Sequence, residues 1–155
     1  MKSNNIRDSP PPLRDYQQVD LAKMQNYEGR AALMVLATGL GKTRIYTEYI
    51  RWDVLNNNHN CLILSHREEL VYQPLTYLED LPCGVDLAGK HAHGEPVISA
   101  SVQSLVGRLD KYNPYEIDTI IVDEAHHAAA PTYRRVLEYF PSAQIFGFYW
   151  HGPSR

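Results

Sequence analysis

An α/β fold with a mainly parallel sheet, covered by helices on both faces, is the architecture this sequence predicts, and three observations point to it. Short, nearly continuous apolar runs recur along the chain, as strands buried on both faces require. Stretches of helical periodicity separate them, so strand and helix alternate throughout. The two segments richest in reactive side chains, Thr38 to Thr43 and Asp123 to His126, each follow such a run directly. Ligands in parallel sheets sit at the carboxyl ends of the strands, which puts both segments on one edge.

The elements follow in order. Residues 1–12 form a polar leader that closes on Pro10-Pro11-Pro12, read as stiff and poorly ordered. Leu13 to Tyr27 reads as an amphipathic helix stopped by Gly29. Ala31 to Ala37 is an apolar run expected to be a strand buried on both faces. Gly39-Leu40-Gly41 breaks it, and Lys42 to Leu55 turns helical, with Ile45, Tyr49, Trp52 and Leu55 as the inner stripe. After the Asn56-Asn57-Asn58 loop, Cys61 to Leu64 is the next buried run. Arg67 to Gln73 looks helical until Pro74 interrupts it. Val85 to Ala88 and Val97 to Ala100 are strand candidates, joined by a polar loop, Gly89 to Gly94, that carries His91 and His93. Val102 to Leu109 predicts a short helix, Thr119 to Val122 a strand, Thr132 to Phe140 a helix and Ala143 to Phe148 a last strand. No internal repeat is present.

The totals bound the answer. With 155 residues the chain is expected to be one domain, over 13–148, followed by a short tail, 149–155. Its 44% hydrophobic and 21% charged residues are ordinary for a globular protein. No apolar run approaches the roughly 20 residues a membrane crossing needs, and Met1 to Asp8 has no secretory apolar segment. Cys61 and Cys83 lie far apart without metal-ligand spacing, as reduced thiols of an intracellular protein would. The net charge of −3 advertises no nucleic-acid partner, so any such binding must come from a local surface. The 11 tyrosines read mostly as edges of the core rather than as base-stacking platforms.

Ala37-Thr38-Gly39-Leu40-Gly41-Lys42-Thr43 lies between a strand and a helix, the context a phosphate-binding loop requires. Glycines let the backbone turn its N–H groups onto phosphate oxygens, and the following helix adds its positive dipole end. Lys42 can reach the β- and γ-phosphates, and the Thr43 hydroxyl can ligate Mg²⁺. The first glycine of the general pattern is replaced by Leu36. Asp123, at the tip of a buried strand, can hold Mg²⁺ through water, and Glu124 can polarise an attacking water as general base. Either half alone has a bland reading, a chance turn or a solvated acidic loop, but two halves of one site seldom co-occur by accident. His91, His93, His126 and His127 lack the helical spacing of a zinc motif, so no structural metal is expected from them. Arg134 and Arg135 read as a solvated helix face.

Thr-Gly-Leu-Gly-Lys-Thr at 38–43 with Asp-Glu-Ala-His at 123–126 resembles motifs I and II of superfamily-2 DEAD/DEAH-box helicases, closest to the branch of the type III restriction Res subunit. Leu13-Arg14-Asp15-Tyr16-Gln17 is similar to that branch's glutamine motif, Leu64 to Leu70 to motif Ia and Ser99 to Leu105 to motif Ib. The resemblance spans Leu13 to Phe148, with five motifs in the family's order. It implies a RecA-like P-loop NTPase domain, the first half of a nucleic-acid-dependent ATPase or helicase. The implied catalytic residues are Lys42, Asp123 and Glu124. ATP would meet Arg14, Tyr16, Gln17, Thr38, Gly39, Leu40, Gly41, Lys42, Thr43 and His126, and Mg²⁺ would meet Thr43 and Asp123. Ser65, His66, Arg67, Ser101 and Gln103 would contact a nucleic-acid backbone, DNA ahead of RNA.

The family's last strand is followed by motif III, Thr-Ala-Thr-Pro or Thr-Gly-Thr-Pro, where this chain has Tyr149-Trp150-His151. The resemblance therefore also implies a second RecA-like domain that these residues do not include, expected on another polypeptide if at all. The alternative expectation is a catalytically weak half-motor that holds nucleotide and nucleic acid without turnover.

Overall fold

A computed structural model describes residues 11–36 and 41–150; the greater part of the proline leader, Ala37 to Leu40 and the tail from His151 lie outside the described residues. Helix α1 spans Asp15–Asn26, strand β1 Ala31–Leu36, α2 Lys42–Asn57, β2 Cys61–Ser65, β3 Cys83–Asp86 and β4 Val97–Ser101. The short helix α3, Val102–Val106, follows, then β5, Thr119–Val122, α4, Pro131–Tyr139, and β6, Gln144–Trp150. The six strands form one sheet in the order β1-β6-β5-β2-β4-β3, and each neighbouring pair is parallel.

Alternation along each strand sorts the core into two layers, because successive side chains leave opposite faces of the pleat. Cys61 and Ile63 of β2, Ile121 of β5, and Phe146 and Phe148 of β6 pack with Met24 of α1 and Ile45, Tyr46, Tyr49 and Ile50 of α2. Leu62 and Leu64, Ile120 and Val122 face the other way, onto Val102 and Leu105 of α3 and Tyr133, Val136 and Phe140 around α4. Helices thus cover both faces, as the alternation predicts. Each such buried aliphatic or aromatic side chain contributes about 1.5–3 kcal/mol of transfer free energy, so β2, β5 and β6 are the rigid centre.

Strand β1 departs from its expectation. It is an edge strand paired only with β6, and Leu33 and Val35 are 57% and 58% exposed. Its other face, through Ala32, Met34 and Leu36, is covered by the α1–α2 layer. An apolar run cannot distinguish two covered faces from one, and the second here is open.

Other boundaries shift for local reasons. Helix α2 buries Ile45, Tyr46, Tyr49, Ile50 and Asp53, a stripe of period 3.6. Leu55 falls two residues past that stripe, on the far side of the helix, and is 64% exposed rather than inward. Arg67 to Gln73 is not α-helical: Glu68–Leu70 and Pro74–Tyr77 form separate 3₁₀ turns, because Pro74 admits no continuous ladder across the segment. Two buried carboxylates hold elements together. Asp53 accepts from Thr119 Oγ1 at 2.7 Å and Asn57 Nδ2 at 2.8 Å, tying α2 to β5. Asp86 accepts from the Tyr112 hydroxyl at 2.9 Å and Ser104 Oγ at 3.0 Å, tying β3 to α3. Both cysteines are free thiols. Burial raises both, Cys61 well above its ordinary value and Cys83 to about 11. Among the described residues no helix is long and apolar enough to cross a membrane.

Candidate functional site

The carboxyl ends of β1, β5, β2 and β4 lie along one edge of the sheet, and the chemistry-bearing side chains collect there. Gly41 caps α2 with φ of 89°, a left-handed conformation that glycine adopts without strain. A Cβ at Gly41 would also stand 2.3 Å from Gln17 Nε2, so a side chain there is excluded twice. Gln17 is buried in α1. Its Oε1 accepts from the Arg14 backbone N–H at 2.8 Å and its Nε2 donates to the Gly41 carbonyl at 3.2 Å. The amide therefore clamps the start of α1 onto the phosphate-loop end. Arg14 and Tyr16 are exposed beside it. Thr38, Gly39 and Leu40 lie outside the described residues.

One helical position on from Gly41, Lys42 sends its ammonium 2.6 Å from Asp123 Oδ1. The Tyr46 hydroxyl, fully buried in the next turn of α2, donates to Asp123 Oδ2 at 3.2 Å. Burial and the Asp123 charge hold that phenol protonated, well above its ordinary range. Asp123 is itself fixed by its backbone N–H, which donates to the Leu64 carbonyl at 3.1 Å. Thr43 occupies the first turn of α2, one residue beyond Lys42. Sequence reading brought Lys42, Thr43 and Asp123 to one place; it missed Tyr46, whose only signal is its position one turn beyond the Lys-Thr pair on the buried stripe.

Buried polar atoms without hydrogen-bond partners mark the floor of this edge. Among the described residues they are Asp123 Oδ1, whose contact with the Lys42 ammonium is short but poorly directed, Ser65 Oγ, His66 Nδ1 and the Tyr133 hydroxyl. Burial first, then the charges of Asp123 and Glu124, push the Tyr133 phenol far above its usual range. A buried polar group without a partner is costly, so the cluster invites water or a cation. Carboxylate and hydroxyl oxygens suit Mg²⁺, which keeps several of its own waters. Asp123 with Thr43 nearby fits that ion.

Glu124 turns the chain with φ of 63° and ψ of 67°, one of two non-glycine residues with positive φ among the described residues. Strain of this kind costs on the order of 1–3 kcal/mol and persists where surroundings over-determine it. The Glu124 carboxylate lies 3.2 Å from His66 Nδ1 and 3.6 Å from His127 Nε2. Burial lowers the His66 pKa below its ordinary value, which the Glu124 charge only partly opposes. His126 is exposed, its ring tilted on His127 at 4.1 Å and meeting the Tyr149 ring edge-on at 6.0 Å, while His127 also lies 4.0 Å from the His66 ring.

The residues expected to touch nucleic acid separate into two sets. Ser65 and Ser101 are fully buried, and Ser101 Oγ is spent capping α3 by accepting from the Ser104 N–H at 3.2 Å. They do not present side chains to a strand of nucleic acid, a correction to the expectation. They end β2 and β4 as direct register partners, and the residues just beyond them, Arg67 and Gln103, are exposed on the same edge. Arg67 donates through Nε to His66 Nε2 at 3.1 Å. His66 itself faces inward to Glu124. Tyr149 and Trp150, expected in the tail, continue β6 opposite Val35 and Leu36, and His151 lies outside the described residues.

Comparison with known proteins shows the family and the fold. The family described as "Type III restriction enzyme, res subunit" matches residues 11–148. The candidate mitochondrial ATP-dependent helicase irc3 of Schizosaccharomyces pombe is 42% identical over 139 residues, covering 83% of this chain and 23% of that protein. The candidate ATP-dependent helicase IRC3 of Saccharomyces cerevisiae is 38% identical over 151 residues, covering 87% of this chain and 22% of that protein. The chain thus spans under a quarter of the length of these relatives. Among solved structures, the Hef helicase domain of Pyrococcus furiosus superposes with a TM-score of 0.74 at 22% identity, over 92% of this chain and 34% of the other, a likeness of fold.

Proposed function

The chain belongs to the family of the type III restriction enzyme Res subunit, and from that premise we propose that it is the ATP-binding, first RecA-like domain of a nucleic-acid-dependent ATPase of the helicase class. The observation that carries the reading is the 2.6 Å approach of Lys42, the first residue of α2, to Asp123, from the end of β5. The two residues are 81 positions apart in sequence and meet only because parallel strands deliver both to one edge.

Lys42 and Asp123 neutralise each other in the nucleotide-free chain. ATP offers Lys42 a better partner, a polyphosphate that also meets the positive end of α2. Asp123 and Thr43 would then hold Mg²⁺, which supplies charge neutralisation of the β- and γ-phosphate oxygens. Tyr46 keeps Asp123 oriented throughout, since its bond goes to the oxygen that Lys42 does not use. Gln17, held at the phosphate-loop end by its bond to the Gly41 carbonyl, is placed to read the base edge, and Arg14 and Tyr16 lie beside it. Glu124, one residue beyond Asp123, is the group that takes a proton from an attacking water. Arg67 and Gln103, exposed on the same edge, give backbone contacts to a nucleic acid, with DNA ahead of RNA. The free, unreactive thiols and the mitochondrial description of the S. pombe relative favour a place inside the cell.

The test is titration calorimetry of ATP with and without Mg²⁺. Binding should require Mg²⁺ for full affinity and weaken at least about tenfold in Lys42→Ala, since a charge-assisted phosphate contact contributes roughly 1.5–3 kcal/mol. Equal affinity of wild type and variant removes Lys42 from the site and the reading with it.

A further inference from the structure

His66, Glu124 and His127 bring two imidazoles and a carboxylate together, with one ligand atom of each lying within 4.8 Å of the others. His66 Nδ1 and Glu124 Oε2 are 3.2 Å apart, and His127 Nε2 is 3.6 Å from the same oxygen. Neighbouring ligands around a tetrahedral zinc stand about 3.3–3.5 Å apart, from bond lengths of about 2.0–2.2 Å. Two of the spacings therefore already approach those of a metal shell.

The backbone explains the convergence. Residues Ala125–His127 form a 3₁₀ turn closed by the His127 N–H donating to the Glu124 carbonyl at 3.2 Å. Side chains three residues apart eclipse in such a turn, so Glu124 and His127 project to the same side. His66 follows Ser65 at the end of β2, the strand next to β5. A second observation points inward: His66 Nδ1 is buried and has no hydrogen-bond partner, because its approach to Glu124 is close without being directed. Such an atom is either a cost to the fold or a ligand in waiting.

We propose that His66 Nδ1, Glu124 Oε2 and His127 Nε2 form a binding site for a zinc-type transition-metal dication, with water at the fourth position. Two nitrogens and one oxygen select this class over Mg²⁺ or Ca²⁺, which take oxygen ligands. Ligation through Nδ1 moves the His66 ring proton to Nε2 and turns away the exposed Arg67 guanidinium that now donates there. His127, over a third exposed, closes the remaining gap. The site is distinct from the Mg²⁺ position at Asp123 and Thr43. It shares with the proposed reaction only Glu124, and its consequence there, which rests on the functional reading above, is that a bound zinc withholds the general base.

The binding test does not depend on that reading. Zn²⁺ is titrated into the full chain without nucleotide by calorimetry, and Co²⁺ into the same protein by visible absorption, which reports ligand number and geometry. One equivalent should bind, giving the spectrum of a four-coordinate nitrogen–oxygen site, in the presence of excess Mg²⁺. His127→Ala should weaken it by about a thousandfold or more, beyond the 10–100-fold typical of losing a residue that only supports a ligand. His66→Gln should do the same, with its fold checked by circular dichroism, and the more exposed His127→Ala decides the matter if that variant unfolds. His91→Ala and His93→Ala should change nothing. Absence of binding, or zinc affinity indifferent to His127 or lost in the His91 and His93 variants, overturns the proposal.

Discussion

The Tyr46 hydroxyl and Asp123 Oδ2 are joined at 3.2 Å across the buried seam between α2 and the end of β5. The helix that carries Lys42 therefore grips the acidic strand end twice, once with an ammonium and once with a phenol. Removing the phenolic oxygen leaves a buried carboxylate oxygen unmatched, which costs about 1–3 kcal/mol. Tyr46→Phe is expected to lose that much stability in urea denaturation and to weaken Mg²⁺-dependent nucleotide binding, with little effect on binding measured without Mg²⁺. A variant as stable as wild type with unchanged Mg²⁺ dependence assigns Tyr46 to packing alone.

Gly147 makes a comparable demand on space. It lies in β6 between Leu33 and Val122, and a Cβ there would come 2.8 Å from the Ala125 Cβ. Ala125 directly follows Glu124, so the added methyl pushes on the turn that presents both acidic side chains. Gly147→Ala should destabilise the chain by about 1–3 kcal/mol, the usual cost of overpacking, and lower nucleotide affinity as well. Gly107→Ala is the control, since its Cβ would find nothing nearer than 3.8 Å. Equal melting of the two variants shows that the Ala125 turn gives way freely.

Which parts of this arrangement the sequence discloses depends on how local their causes are. The strands β2 and β5 are legible because a run of four apolar residues, Cys61 to Leu64, and one of four β-favouring residues, Thr119 to Val122, each bounded by polar ones, leave few alternatives, and the two motif segments are legible because each follows an apolar run. The open face of β1 is not, since Leu33 and Val35 look the same whether covered or bare. The inward turn of Ser65 and Ser101 is likewise invisible: both belong to motifs whose relatives suggest contact, yet strand alternation and a helix cap consume them. Tyr46 reaches Asp123 from another element, and a pairing across 77 residues leaves no periodic trace. Glu124 is nominated as general base by type and place; its left-handed backbone and its histidine neighbours needed coordinates.

Arg67 tests the proposed nucleic-acid edge. Its guanidinium is exposed beyond β2, beside Gln103 beyond the neighbouring β4. A phosphate contact carries no sequence information, so Arg67→Ala should weaken binding to oligonucleotides of different sequence by similar factors. Each lost phosphate contact also reduces the slope of log affinity against log salt by about 0.9 for duplex and 0.7 for single strands. Fluorescence anisotropy at several salt concentrations reads both. An unchanged slope, or a loss confined to one sequence, removes Arg67 from the backbone contacts.

Glu124→Gln separates holding nucleotide from hydrolysing it. Asp123, Lys42 and Tyr46 form one connected set, and Glu124 stands outside it, turned by its left-handed backbone toward His66 and His127. Exchanging one carboxylate oxygen for an amide keeps side-chain volume and leaves the backbone strain unchanged, so the fold and the Mg²⁺ site should survive. What disappears is the ability to take a proton, an effect of about 10²–10⁴ in rate for a general base. ATP affinity by calorimetry should stay within about threefold, roughly 0.7 kcal/mol, while phosphate release, with or without added nucleic acid, falls to background. A variant that hydrolyses at the wild-type rate shows that the proton goes elsewhere. One that loses nucleotide affinity along with turnover shows that Glu124 belongs with Asp123 in holding the ion, and that its turn toward the histidines is not its working position.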